Sequence, residues 1–232
     1  MSRHEEVAAR LSAVRGRIAE ACAAAGRDVE EVTLVVVTKY FPASDVRLLA
    51  ELGVAHVGEN RHQEAQAKAA ECADLPLTWH FIGGLQSNKA AAVASYSQVV
   101  ESLDRTKLVR PLARGAHGAD REVDVLVQVS LDPPDREGRA GADPADLPGL
   151  AVAVAEADGL RLRGLMAVAP LGEDPATAFA RLAAVRRELL VDHPDAGWLS
   201  AGMSGDLEQA IHAGATHVRV GSAVLGSRPP VQ

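Results

Sequence analysis

The chain has 232 residues and carries 24 Lys and Arg against 31 Asp and Glu, a net charge of −7. That balance excludes a general nucleic-acid binder, whose surface has to be basic. Hydrophobic residues make up 47%, enough for one sizeable core. No run is long and apolar enough for a membrane span, and the polar start Met1-Ser2-Arg3-His4-Glu5-Glu6 lacks the core of a signal peptide, so the expected location is cytoplasmic.

The first periodic segment runs from Glu5 to Ala25, with Val7, Leu11, Val14 and Ile18 at helical spacing and Gly26 as its stop. Thr33 to Val37 then reads as a strand apolar on both faces, as in parallel sheets. An alternation follows in chain order: helix Ser44–Leu52, strand His56–Gly58, helix Gln63–Cys72, strand Leu77–Ile82, helix Lys89–Tyr96, strand Gln98–Glu101, helix Arg105–Ala116, strand Val123–Val129. The stretch Leu131 to Pro148 is dense in Pro, Gly and Asp and reads as a long loop that could gate a site beside it. The alternation resumes with helix Leu150–Ala157, strand Leu162–Met166, helix Pro175–Val191, a short strand at Trp198-Leu199, helix Gly205–Ala213 and strand His217–Val220. Cys22 and Cys72 fall in Ala-rich helical patterns, without disulfide or metal-ligand spacing, and read as packed residues.

Eight strands alternating with helices in this length predict one α/β domain over residues 1–232, a (β/α)8 TIM barrel with an extra N-terminal helix. A doubly wound open sheet is the alternative, and the absence of a Gly-x-Gly-x-x-Gly run after the first strand counts against it. In a barrel, functional groups belong at the carboxyl ends of the strands. There stand Lys39 after strand one, Gly58-Glu59-Asn60 after strand two and His80-Phe81-Ile82-Gly83 at strand three. Ser200-Ala201-Gly202-Met203-Ser204 follows strand seven, and Arg219 with Gly221-Ser222 closes strand eight.

A lysine at the mouth of a buried strand can attack a carbonyl carbon. Ser204 and Ser222, with neighbouring glycines, suit a phosphate held by hydroxyls and backbone N–H groups. In His217-Val218-Arg219-Val220 the period of two separates Arg219 from the valines. If the valines meet the outer helices, Arg219 points into the barrel and needs an acceptor there, either a ligand or a barrel carboxylate. Amine, phosphate cradle and inward guanidinium together suggest an aldehyde cofactor that carries a phosphate.

The motifs Thr38-Lys39, Gly58-Glu59-Asn60, Trp79-His80-Phe81-Ile82-Gly83, Leu85-Gln86-Ser87-Asn88-Lys89, Gly164-Leu165-Met166, Ser200-Ala201-Gly202-Met203-Ser204 and Val218-Arg219-Val220-Gly221-Ser222 resemble the pyridoxal phosphate homeostasis protein family, itself similar to the barrel domain of alanine racemase. The resemblance covers roughly residues 5 to 228. It implies a pyridoxal 5′-phosphate cofactor held as a Schiff base on Lys39. It also implies that Ser204, Gly221 and Ser222 hold the phosphate, that Arg219 faces the pyridine nitrogen, and that Asn60, His80 and Met203 line the pocket. Where the family commonly has Lys-x-Gly after strand five, Arg139-Ala140-Gly141 stands here, a departure at the lysine.

The function expected from this resemblance is non-catalytic handling of the cofactor, with pyridoxal phosphate-dependent apo-enzymes as recipients. The alternative is a pyridoxal phosphate-dependent amino-acid racemase or lyase. A racemase needs a second acid/base, which its family draws from a further domain that this sequence does not display. Without that domain's dimer interface a monomer is expected. A phosphosugar isomerase-like barrel with Glu59 as base is a third reading, and it leaves Lys39 and Arg219 unexplained.

Overall fold

The computed structural model describes residues 1–133 and 141–227. Eight parallel strands close into a barrel in sequence order: β1 (Thr33–Val37), β2 (His56–Glu59), β3 (Thr78–Phe81), β4 (Val99–Leu103), β5 (Val123–Gln128), β6 (Leu160–Met166), β7 (Trp198–Ser200) and β8 (His217–Val220). Closure is made where β1 pairs with β8, Val35 opposite Arg219 and Val36 opposite Val220. The open-sheet alternative is thereby excluded.

The first helix, α1 (Arg3–Ala24), starts one turn earlier than the apolar stripe alone indicates, because Ser2 and Glu5 form a reciprocal capping box. Its buried face is the stripe Val7, Leu11, Val14 and Ile18, extended by Ala21 and Cys22. This face joins one large apolar cluster with β1, β2 and β8. The remaining helices are α2 (Ala43–Glu51), α3 (His62–Glu71), α4 (Ala90–Ala94), α5 (Val109–Gly118), α6 (Leu147–Ala155), α7 (Pro175–Asp192), α8 (Leu207–His212) and α9 (Ser222–Leu225). A second large cluster packs the outer faces of β4 to β7 against helices that include α5, α6 and α7, with Phe179 and Leu182 fully buried. Strand alternation turns Val99, Leu126 and Met166 inward, where they form a small separate cluster with Trp198. Cys22 and Cys72 are both buried and free, as packed residues should be.

Most boundaries differ from the sequence reading by a few residues, and the stretch before α6 differs in kind. The helix expected from Leu150 begins at Leu147, after a 3-10 turn over Pro144–Asp146 capped by Asp143. Pro148 therefore lies in the first helical turn, where a missing N–H costs nothing. A stretch that reads as loop by composition is in part a helix start. The Ala142 backbone also pairs with Gln128 and Ser130 at the end of β5, which shortens the expected loop further. Residues 134–140, including Arg139 and Ala140, lie outside those described. Among the described residues no helix is long and apolar enough to cross a membrane.

Candidate functional site

The carboxyl end of the barrel holds a cavity of about 310 Å³. Its walls come from four strand ends: Lys39, Tyr40 and Phe41 after β1, Ile82 after β3, Met203, Ser204 and Gly205 after β7, and Arg219, Gly221 and Ser222 at the end of β8. Six of the eight residues singled out from the sequence thus share one cavity. Asn60 and His80 stand outside this set of lining residues. Asn60 follows β2, and its Oδ1 is buried without a hydrogen-bond partner. It packs so closely on Gly83 that a Cβ there would lie 2.1 Å from the Asn60 carbonyl oxygen.

His80 sits deeper because its position in β3 turns it into the barrel interior, where a carboxylate claims it. Its Nδ1 lies 2.7 Å from Oε1 of Glu101, and its Nε2 lies 3.0 Å from Nδ1 of His56. Glu101 is fully buried. Its second oxygen, Oε2, accepts from the Ser200 hydroxyl at 2.6 Å, and the same hydroxyl oxygen accepts from Nη1 of Arg219 at 2.6 Å. Nη2 of Arg219 donates to the Ala167 carbonyl at 2.9 Å. Ser200 thereby bridges an ion pair whose direct separation, 3.8 Å, is long.

The sequence reading left two partners open for Arg219; the fold shows the carboxylate, reached through Ser200, and places the residue at the cavity wall as well. One edge of the guanidinium is tied to the Glu101 network, and the residue also lines the cavity. Burial pulls its pKa below the ordinary value, while Glu101 and Asp206 oppose that effect. Burial pushes the Glu101 carboxyl up, but hydrogen bonds and charge from His80, Arg219 and Ser200 outweigh it and bring it down to about 2. The carboxylate therefore stays charged and accepts from both sides.

Ser200→Ala would remove the bridge and leave an N–H of Arg219 without its acceptor. The expected loss is about 1–3 kcal/mol of folding free energy, read by urea denaturation, with no change in the slope of the transition.

The wall after β7 is braced from outside. Arg17 of α1 donates to the Ser204 carbonyl at 3.0 Å and pairs with Glu208 at 2.7 Å. The Met203 N–H donates to Oδ1 of Asp206 at 2.6 Å. Gly205 has open space where a Cβ would stand, and Gly221 lies close enough to Val37 that a Cβ would be 3.3 Å from the Val37 carbonyl. At the start of α9 the first backbone N–H groups have no acceptor within the helix. Hydroxyls and backbone donors on one wall and an amine with a guanidinium on the others make a cavity suited to a small anion that carries an electrophile.

Sequence reasoning missed Glu101, His56 and the role of Ser200. It also missed a second buried cluster of Thr38, Glu59, Glu64 and Lys68 behind Lys39, and it assigned no chemistry to Tyr40 and Phe41, which line the cavity. A signal existed for Glu64 and Lys68, four residues apart on one helix face. For Glu101 the signal was a carboxylate in phase with inward Val99 in a short strand.

Barrel and strand-end cavity together define the class: residues 10–229 match the family described as alanine racemase, N-terminal domain. A pyridoxal phosphate homeostasis protein of Pseudomonas aeruginosa is 46% identical over 226 residues, covering 96% of this chain and 96% of the relative. One from Mycobacterium leprae is 40% identical over 240 residues, covering 97% and 93%. PipY of Synechococcus elongatus, solved with PLP bound, superposes with a TM-score of 0.82 at 37% identity, covering 95% of this chain and all of that one. The chain belongs to the pyridoxal phosphate homeostasis protein family.

Proposed function

We propose that this protein binds pyridoxal 5′-phosphate reversibly through Lys39 and holds it as an exchangeable store, without turning over a substrate. One observation carries the reading: Lys39, Arg219 and the Ser204 and Ser222 loops border a single cavity of about 310 Å³. The PLP-bound PipY structure supports the choice of ligand. When bound, the cofactor supplies an electrophilic aldehyde. Lys39 provides the amine that captures it, with loss of water. Ser204 and Ser222, with the backbone at Gly205 and Gly221, receive the phosphate. Met203 and Asn60 are assigned to the cofactor's surroundings, and His80 acts through Glu101 on Arg219.

Arg219 offers the pyridine nitrogen a hydrogen bond and keeps its own proton. That leaves the ring a weaker electron sink than pairing with a carboxylate would, which favours storage over catalysis. Exchange with pyridoxal phosphate-dependent apo-enzymes and a monomeric working unit are part of the proposal, the latter checked by sedimentation.

The test is capture. Purified protein incubated with pyridoxal phosphate should turn yellow, and borohydride should fix one adduct on the Lys39 peptide, found by mass spectrometry. Lys39→Ala should lose both colour and adduct. An adduct trapped elsewhere in Lys39→Ala would overturn the anchor. Sustained exchange of the α-hydrogen of alanine or serine in deuterated water would replace the storage reading with a racemase or lyase.

A further inference from the structure

The turn that carries Lys39 holds an unfavourable backbone conformation. Tyr40 has φ +72°, in the left-handed region that bulky side chains rarely adopt. The Phe41 N–H donates to the Thr38 carbonyl at 3.0 Å, which closes a tight turn with Lys39 and Tyr40 at its centre. Such a conformation persists only where its surroundings over-determine it.

Those surroundings are built on a buried cation. Lys68 of α3 is 6% exposed, and its ammonium donates to the Thr38 carbonyl at 2.8 Å, to Oε1 of Glu59 at 2.7 Å and to Oε1 of Glu64 at 2.8 Å. The same Glu64 oxygen accepts the Tyr40 N–H at 2.7 Å, and the same Glu59 oxygen accepts the Thr38 hydroxyl at 2.6 Å. The Arg61 guanidinium covers the Tyr40 ring at 5.0 Å from its centroid. The Thr38 carbonyl belongs to the peptide unit before Lys39, and the Tyr40 N–H to the unit after it. Both planes that set φ and ψ of Lys39 therefore end on one buried cluster. Lys68 itself, charged and donating to three oxygens, has no lone pair to offer an aldehyde.

We infer that Lys68, with Glu59 and Glu64, is the positioning group for Lys39: a buried cation that fixes the direction of the Lys39 side chain and leaves Lys39, not itself, as the nucleophile. This rests on Lys39 being the amine that captures the aldehyde. Glu64 reaches the Tyr40 N–H as an acceptor and Lys68 as a charge, and substitutions can separate the two roles.

The probe is pyridoxal phosphate, and the readouts are the rate of appearance of borohydride-trapped Lys39 and, without ligand, hydrogen exchange at the Tyr40 amide. Lys68→Met should slow capture by Lys39 at least about tenfold, as expected when a reacting group is misdirected. Glu64→Ala should slow it in the same direction and lose protection of the Tyr40 amide, while Glu64→Gln, which keeps an acceptor, should recover most of both. The Glu64 side chain is 26% exposed, so its variants decide the matter if Lys68→Met does not fold. Wild-type rates in Lys68→Met or Glu64→Ala, with wild type itself trapping at Lys39, would overturn the positioning role alone. A wild type that traps nothing at Lys39 would overturn the anchor and this role with it.

Discussion

Glu101→Ala is expected to lower the free energy of unfolding by about 3–5 kcal/mol, the cost of stranding buried charge when one partner is removed. Against the ordinary 5–15 kcal/mol of a folded domain, that is a large share. The reason lies in the geometry. Glu101 has no exposure to water, and its two oxygens serve His80 at 2.7 Å and the Ser200 hydroxyl at 2.6 Å. Without it, Ser200 loses the acceptor for its proton and Arg219, 4% exposed, loses its nearest carboxylate. Glu101→Gln keeps the shape and an acceptor for Ser200, and should cost less than half as much.

The double variant Glu101→Ala with Arg219→Met should be less damaging than the sum of the two, because the second change removes the stranded charge. Urea denaturation of the four proteins measures this. An Glu101→Ala loss below about 1 kcal/mol would mean that water reaches the barrel interior and screens the pair.

Acid should weaken the fold in two stages. His217 and His56 have pKa values pulled from 6.5 to about 4, chiefly by burial. Their folded values lie below their unfolded ones, so the unfolded chain binds more protons between pH 6.5 and 4. The stability they contribute is complete above pH 6.5 and is lost as pH falls through about 4. His217 carries the larger share because it is the more buried; His56 is partly exposed, and solvent screening reduces its share. Glu101, held at about 2 against an ordinary 4.5, adds a second decline from about pH 4.5 towards 2. Glu59 works in the opposite sense: burial raises its pKa, with Lys68 opposing, so its protonation favours the fold as pH falls.

The expected outcome is a net fall in urea midpoint from pH 7 to pH 4. His217→Gln should flatten that part of the profile and leave the decline below pH 4 unchanged. A wild-type midpoint constant from pH 7 to 4.5 would show that the two imidazoles are hydrated in the folded state.

The site's outline was legible because its residues sit at strand ends. Lys39, Ser204, Gly221 and Ser222 each follow a short run whose period of two or apolar continuity is set by immediate neighbours, and barrel topology then sends them all to one mouth. His80 shows the limit. Its motif marks it as unusual, yet whether it faces the cavity or Glu101 depends on a strand that is distant in sequence and adjacent in space. Lys68 shows it again: on a helix it reads as a solvent-facing cation, and only the approach of α3 to the ends of β1 and β2 makes it a buried one.

By itself the sequence determined the order of strands and helices and the set of polar residues at the carboxyl ends, because these follow from periodicities spanning a few residues. Tertiary structure alone decided which inward polar groups meet and that Tyr40 adopts a left-handed backbone. Closing β1 on β8 sets the stagger of every strand, and that stagger brings Glu101 to Ser200 across 99 residues of chain.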